Sequence, residues 1–240
     1  NISYDEMKRH MDGWLAEAMQ RFDPERVDFL AKHWQAAGEP AKALQYLVAV
    51  AERAARQLAF ERAAELFGQA AELETDPQAR SGLWESLGAA YANLGRLQDA
   101  AEAYLQAAEE AEEERQRALR LRAGEQLLRG GHMARGFEVL GQVLAEMGFP
   151  LARTPNWAVI SILRNRTWLF FRGMKLRAKV RTPRTVLDAL YAAATYMSVV
   201  DTVHGADLQN RYLRQAATSG DEGHYALALA VEGTHQATQG

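Results

Sequence analysis

The chain has 240 residues, of which 48% are hydrophobic and 25% charged, so general disorder is excluded and material for a buried core is ample. It contains no cysteine, which excludes disulfide bonds, thiolate metal sites and cysteine nucleophiles. The net charge of −3 conceals an asymmetry: residues 153–184 carry nine Lys or Arg and no Asp or Glu, so the rest of the chain sums to −12.

Helix-start signals recur along the chain and divide it into helices of similar length. Ser3 with Glu6 predicts a capping box, and Asp76-Pro77 places an N-cap before a proline at the first helical position. Further starts stand at Asp23-Pro24, Pro40, Thr154-Pro155 and Thr182-Pro183. The predicted helices run over about 3–19, 24–38, 40–57, 60–74, 77–95, 97–114, 116–128, 133–147, 155–179, 183–203, 206–218 and 222–239.

An internal period accompanies these helices. Residues 81–114, SGLWESLGAAYANLGRLQDAAEAYLQAAEEAEEE, resemble the tetratricopeptide repeat. The small residues Gly88 and Ala100 are expected where two helices approach most closely, and Tyr91 and Tyr104 in the wider gaps. The residues at the motif's positions are Trp84, Leu87, Gly88, Tyr91, Gly95, Ala100, Tyr104 and Ala107.

Weaker copies flank this window. A degenerate copy of the motif lies 36 residues further along the chain, with these residues at the motif's positions: Gly124, Leu127, Gly131, Gly136, Leu140 and Val143. A second copy lies 37 residues earlier, with Ala51, Ala63, Phe67 and Ala70 at the motif's positions and Leu58 in place of the turn glycine. An earlier hairpin, from Leu30 to Val50, is offset by 57 residues, so the helix opened by Pro40 must serve as the second helix of one pair and the first of the next.

The sequence therefore predicts an all-α protein, a tetratricopeptide-like right-handed solenoid of helical hairpins. The predicted organisation is a leading helix (1–20), tetratricopeptide-like repeats (21–151), a long basic helix with linker (152–184) and further helical repeats (185–240). No Walker sequence, GxGxxG, HExxH, GxSxG or kinase catalytic motif occurs. We expect no catalytic residue, no cofactor and no resident metal.

Two histidines and one acidic run allow a functional and a plainer interpretation. His204 lies between Asp201 and Asp207 at helical spacing, so a metal site is conceivable. The favoured interpretation is a helix-end histidine with local hydrogen bonds, with Gly205 breaking the helix. His33 is expected to be packed or half-exposed rather than a ligand. The run 109–114 could be an acidic docking strip, but a solvated helix face is favoured.

The basic stretch admits three interpretations. Residues 155–179 mix large apolar side chains with cations. The favoured one is a long buried helix whose arginines face acidic neighbours, because the rest of the chain is acidic. Contact with an anionic membrane surface is possible but not favoured, and nucleic-acid binding is less favoured still.

Two segments carry a further family resemblance. Residues 29–74, with Ala31, His33, Gly38 and Tyr46 in a pattern of that family, resemble the helical segment that follows the ATPase module of bacterial STAND-type signalling ATPases. Residues 197–230, which include VDTVHGADLQNRYL, resemble the distal helical region of multidomain bacterial serine/threonine protein kinases. The resemblance implies a sensor or partner-binding arm, with the kinase or ATPase domains outside this chain. The expected location is the cytoplasm, with which the absence of cysteine agrees.

The repeat register predicts a binding face on the first helix of each hairpin. Its polar members are Gln45, Glu52, Arg56, Glu85, Asn93, Glu125 and Arg129. Because three are acidic and two basic, the expected partner is a protein or peptide of basic or mixed charge, or another domain of the parent protein. These residues could instead be solvated or covered by the chain's own helices. The alternative function is a helical regulatory domain that senses a small inducer.

Overall fold

A computed structural model describes residues 3–23, 26–173 and 182–239. These ranges form α-helices and contain no β-strand, which confirms the all-α class. The helices are α1 (Tyr4–Phe22), α2 (Val27–Ala36), α3 (Pro40–Arg56), α4 (Phe60–Leu73), α5 (Pro77–Asn93), α6 (Leu97–Glu109), α7 (Glu113–Arg129), α8 (Met133–Glu146), α9 (Pro155–Arg172), α10 (Arg184–Val200), α11 (Thr202–Ser219) and α12 (Glu222–Gln239).

The chain divides into two compact units, residues 1–132 and residues 133–240. The N-terminal unit holds α1 to α7 and the C-terminal unit holds α8 to α12. The division falls inside the stretch 21–151 that the sequence predicts as one repeat region. Each unit is described by itself below.

In the N-terminal unit each helix packs against the next along the chain. Alanines fill the crossings and allow close approach, and Leu30, Trp34 and Leu47 fill the wider spaces. The turn after α5 places Gly95 at φ 74°. The turn after α3 repeats this left-handed conformation with Leu58 at φ 61°, where the period predicted a departure from glycine. An L-residue there is strained, yet the turn is retained.

The predicted close approach at Gly88 is confirmed. Gly88 on α5 and Ala100 on α6 are both buried. A Cβ atom added at Gly88 would lie 2.8 Å from two ring carbons of Tyr104 and 3.2 Å from the Ala100 carbonyl oxygen. The repeat motif therefore located this helix crossing correctly.

The sequence favoured a single solvated helix face for the acidic run 109–114. In the structure the run is divided between two helices. Helix α6 ends at Glu109, and α7 begins at Glu113 after the N-cap residue Glu112. Glu113 and Glu114 occupy the first turn of α7. Carboxylates are favourable at the positive end of the helix dipole and unfavourable at the C-terminal end of α6. The break thus falls where the charges are best accommodated.

In the C-terminal unit α11 packs against α9, α10 and α12, and α8 packs against α10. The prediction that Gly205 breaks a helix is wrong, because α11 begins at Thr202 and continues through Gly205. A Cβ atom at Gly205 would lie 2.5 Å from the Cα and 2.6 Å from the backbone nitrogen of Ser198 on α10. Glycine is needed there for close packing of the two helices.

The long basic helix is shorter than predicted. Helix α9 ends at Arg172, and Gly173 follows with φ 72°, a conformation that terminates the helix and favours glycine. The predicted continuation to Lys179, with its cations Lys175 and Arg177, lies outside the described residues, as does Pro24. No helix within the described ranges is long and apolar enough to cross a membrane.

Candidate functional site

The predicted binding-face residues fall into two groups. Gln45, Glu52 and Arg56 are exposed on α3, and Arg56 lies 3.6 Å from Glu52 on the same helix. The described contacts include no hydrogen bond or ion pair between these three and the α5 or α7 residues. The charged contacts that join neighbouring helices at the predicted positions therefore lie on α5 and α7.

On α5 and α7 the predicted residues differ in how freely they can bind. The Asn93 side chain donates to the Ala89 carbonyl of its own helix at 2.8 Å, which leaves one amide hydrogen and the side-chain oxygen for other partners. Arg129 is exposed and donates to Gln126 at 3.4 Å. Glu125 is half-buried.

Glu85 is the centre of an ion-pair cluster that joins α5 to α7. Arg115 donates to its carboxylate from Nη2 at 2.6 Å and from Nε at 3.2 Å, and Arg122 donates from Nη1 at 2.5 Å. Both guanidinium groups come from α7, whereas Glu85 belongs to α5. The sequence prediction counted three acidic and two basic residues on this face, with Glu85 as an unpaired carboxylate. Arg115 and Arg122 neutralise Glu85, so the face has no acidic surplus.

The surroundings of this Glu85 cluster shift the pKa of the Glu85 carboxyl and of the Tyr104 hydroxyl in opposite directions. Partial burial raises the pKa of the Glu85 carboxyl, but hydrogen bonds and positive charge from Arg115 and Arg122 outweigh burial, so its pKa lies below the usual value. Burial raises the pKa of the Tyr104 hydroxyl; Arg122 opposes the increase, and Glu85 and Glu125 add to it. Tyr104 therefore remains protonated beside the cluster.

Sequence reasoning missed Arg115 and Arg122, although a signal for Arg122 was present. The repeat offset of 36 residues places position 121 of α7 beside position 85 of α5, and Arg122 is the next residue. Equivalent positions of neighbouring repeats lie side by side, so the repeat register could have predicted the ion pair between Glu85 and Arg122. Arg115 lies in the first half of α7, outside the positions that the repeat register selects.

We expect replacement of Arg122 by Gln to raise the pKa of Glu85, because one of the two cations that stabilise its carboxylate is lost. Side-chain ¹³C NMR titration would measure the change. With the native pKa below that of the unfolded chain, the stabilisation by Glu85 is present at neutral pH and lost as pH falls through the native pKa. Arg117→Gln is the control, because Arg117 pairs with Glu113 on its own helix. Equal Glu85 midpoints in the two variants would contradict the cluster.

His204 and His33 make hydrogen bonds with nearby aspartates, as the favoured interpretation expected. Asp201 caps α11, accepting from the backbone nitrogens of Val203 and His204, and its Oδ2 lies 2.7 Å from His204 Nδ1. Asp207 pairs with Arg211 at 2.7 Å instead of joining them. His33 Nδ1 lies 2.8 Å from Asp12 and joins α2 to α1. In the described part of the chain, no group of three or more His, Asp or Glu side chains could hold a metal ion.

The favoured interpretation of the basic helix is only partly correct. One arginine of α9 does meet an acid, since Arg166 lies 3.1 Å from Glu232. Arg184, which begins α10, lies 3.8 Å from Asp221. The helix is not buried, however. Its buried face is narrow and consists of small or polar residues and one leucine. These small residues allow α9 to pack closely on α11. The large side chains therefore remain outside.

No protein-family model matches the chain, and a search of curated proteins finds no match. The class of protein is accordingly defined by the fold: an all-helical protein of two compact units. Within the N-terminal unit, consecutive helices pack in sequence order and carry a charged cluster across α5 and α7.

Proposed function

We propose that the chain is a non-catalytic, tetratricopeptide-like scaffold that binds a polypeptide segment on the face formed by α5 and α7. In this proposal the helices form a right-handed solenoid, and the chain is the cytoplasmic sensor or partner-binding arm of a bacterial STAND ATPase or multidomain serine/threonine kinase. Support comes from the close approach at Gly88, the repeated left-handed turns and the two segments that resemble those proteins.

The observation that carries the proposal is the ion-pair cluster of Glu85 beside a row of small residues. Gly82, Ala89 and Ala92 lie on the same face of α5 as Glu85, and Ala89 is exposed. Small side chains leave room for the backbone of an extended or helical segment. The charged groups around Glu85, which lies within this row, would fix the register of the bound segment, while the small residues make the contact area.

The charges define the partner. Arg115 and Arg122 are half-exposed and each retains N–H donors beyond those used on Glu85. A carboxylate of the partner would meet these donors, and a basic side chain would meet Glu125. We therefore expect a segment of mixed charge. Of the two kinds of partner that the sequence predicts, basic or mixed, the structure favours the second.

A cleft in the same unit favours small-inducer sensing as a second candidate function. It lies between α1, α2 and α3, has a volume of about 620 Å³ and includes Trp14 and Trp34. Arg9, Glu17 and Lys42 converge on it. Aromatic walls with converging charges suit a small polar ligand, whereas the α5–α7 face suits a polypeptide.

The test is a selection from a random peptide library, followed by measurement of the Kd of the selected peptide by fluorescence anisotropy. Ala89→Arg places a long side chain on the proposed face and is expected to weaken binding at least about tenfold, about 1.4 kcal/mol. Gln106→Arg is the matched control, because Gln106 is exposed on α6. Asn93→Ala and Glu125→Ala should weaken binding more than Glu109→Ala, which changes an exposed acid on α6.

Two outcomes would contradict this proposal. In one, Gln106→Arg or Glu109→Ala weakens binding as much as the face variants do, while every variant keeps the native circular dichroism spectrum. In the other, the face variants bind normally and Trp14→Ala abolishes binding, which would move the ligand site to the cleft between α1, α2 and α3.

A further inference from the structure

Helix α9 places its apolar side chains on the outside. Toward α11 it presents Ala158, Ser161, Asn165 and Leu169, which are buried. Asn165 accepts from Arg214 at 2.9 Å, so this buried face is partly polar. The exposed large apolar residues are Trp157, Val159, Ile160, Leu163, Phe170 and Phe171, with exposed fractions of 62%, 45%, 54%, 61%, 83% and 82%. This distribution is the reverse of that of an ordinary surface helix.

The exposed apolar side chains share one side of α9. At about 100° per residue, all six apolar residues fall on one side of α9, opposite the buried face. Arg166 lies at one margin of this arc, and Arg164 lies near the other, beside Trp157. Arginine at the margin of an apolar stripe can bury its methylene groups among the apolar side chains and extend its charge outward. We call this surface the α9 face.

Arginines outnumber acids around the α9 face, and Arg166 at its margin pairs with Glu232. Residues 153–173 contain four arginines and no acidic residue. Beside Trp157 and Ile160 there is a cleft of about 490 Å³ to which Arg153, Arg164 and Arg211 contribute, and no acidic side chain lines it. Arg211 is held from behind by Asp207 and the Pro150 carbonyl. Arg153 and Arg164 are exposed and available to an anion.

We infer that the α9 face binds an anionic membrane surface. The six apolar side chains would enter the boundary between headgroups and acyl chains, while Arg153 and Arg164 contact lipid phosphates from the adjoining cleft. The helix lies along the membrane in this arrangement. The inference concerns the C-terminal unit and is independent of the peptide-binding face proposed for α5 and α7.

Other occupants of the α9 face fit less well. A second copy of the chain would bring the arginines of two α9 faces together without compensating acids. A nucleic acid would satisfy the arginines, and its unpaired bases can stack on the aromatic side chains, but Val159, Ile160 and Leu163 would stay in water. A membrane with anionic lipid satisfies both components at once.

The experiment is vesicle flotation with the full chain, comparing phosphatidylcholine vesicles with vesicles that also contain phosphatidylserine. We expect binding to the phosphatidylserine vesicles, weakened by salt because part of the attraction is electrostatic. The double variant Phe170→Ser/Phe171→Ser should lower the partition coefficient more than about tenfold. Arg153→Gln/Arg164→Gln should lower it about tenfold on anionic vesicles.

Matched controls change exposed residues elsewhere. Met11→Ser/Trp14→Ser removes exposed apolar side chains from α1, and Arg56→Gln/Arg62→Gln removes two exposed cations from α3 and α4. Both controls, and Ala89→Arg, should float like the unchanged chain. Circular dichroism and analytical ultracentrifugation would accompany each variant.

Several results would overturn the inference. They are absence of flotation with phosphatidylserine vesicles, equal losses in the α9 and control variants, and flotation that does not depend on anionic lipid. A dimer that dissociates in Phe170→Ser/Phe171→Ser without vesicle binding would assign the α9 face to a second copy. Salt-sensitive binding of RNA without vesicle binding would assign it to a nucleic acid.

Discussion

Replacing Gly205 by alanine is expected to destabilise the C-terminal unit by about 3 kcal/mol, toward the upper end for overpacking. The added Cβ would lie 2.5 Å from the Ser198 Cα, and 2.6 Å from its backbone nitrogen. Backbone atoms cannot rotate away as a flexible side chain can, so α10 and α11 must separate near their junction. Chemical denaturation would measure the free energy of unfolding, and hydrogen exchange would localise the loss to α10 and α11.

The matched control makes the same change at Gly233, which is exposed in α12 and has nothing within 4 Å of an added Cβ. Gly233→Ala is expected to be neutral or to stabilise by up to about 1 kcal/mol, because alanine has the higher helix propensity. Similar free energies of unfolding for the two variants would show that α10 and α11 do not approach this closely.

Gly88→Leu is expected to destabilise the N-terminal unit by about 1–3 kcal/mol or more. The Cβ alone would lie 2.8 Å from the Tyr104 ring, and Tyr104 is buried, so the ring has little space into which to move. The remaining leucine atoms enlarge the conflict and push α6 away from α5. The midpoint of thermal unfolding should fall by several degrees, and hydrogen exchange should increase in α5 and α6.

A double-mutant cycle tests whether Tyr104 is the obstacle. Tyr104→Ala alone removes a buried ring and is expected to cost about 3–5 kcal/mol. In the combined variant the leucine can occupy part of the vacated space, so the total loss should be smaller than the sum of the two single losses. Strict additivity, or an unchanged melting temperature for Gly88→Leu, would contradict the crossing at Gly88.

The secondary structure could be predicted from the sequence because its signals are local. Ser3 and Glu6 form the predicted capping box, and Asp76 caps α5 through the backbone nitrogen of Ala79. The all-α class follows from such signals together with the apolar periodicity. The crossing at Gly88 was also predictable, because the repeat motif records which small residue faces the neighbouring helix.

The electrostatic details of the candidate site depended on which side chains of neighbouring helices meet. Glu85 and its two arginines are 30 and 37 residues apart, so neither pair has a local signature. Counting charges by position could not show that the Glu85 carboxylate is neutralised. Its free energy depends on distances of a few ångströms, which are set by the packing of α5 and α7.

The sequence by itself determined where most helices begin, that no strand is expected and where α5 meets α6, since caps, periodicity and small-residue spacing act within a turn or one repeat. Tertiary structure alone decided that Gly205 continues α11 instead of breaking it, because the need for glycine comes from Ser198 on another helix. It also decided which side of α9 is buried. Hydrophobicity would bury Trp157 and Phe170, but close packing on α11 selects the smaller Ala158 and Ser161.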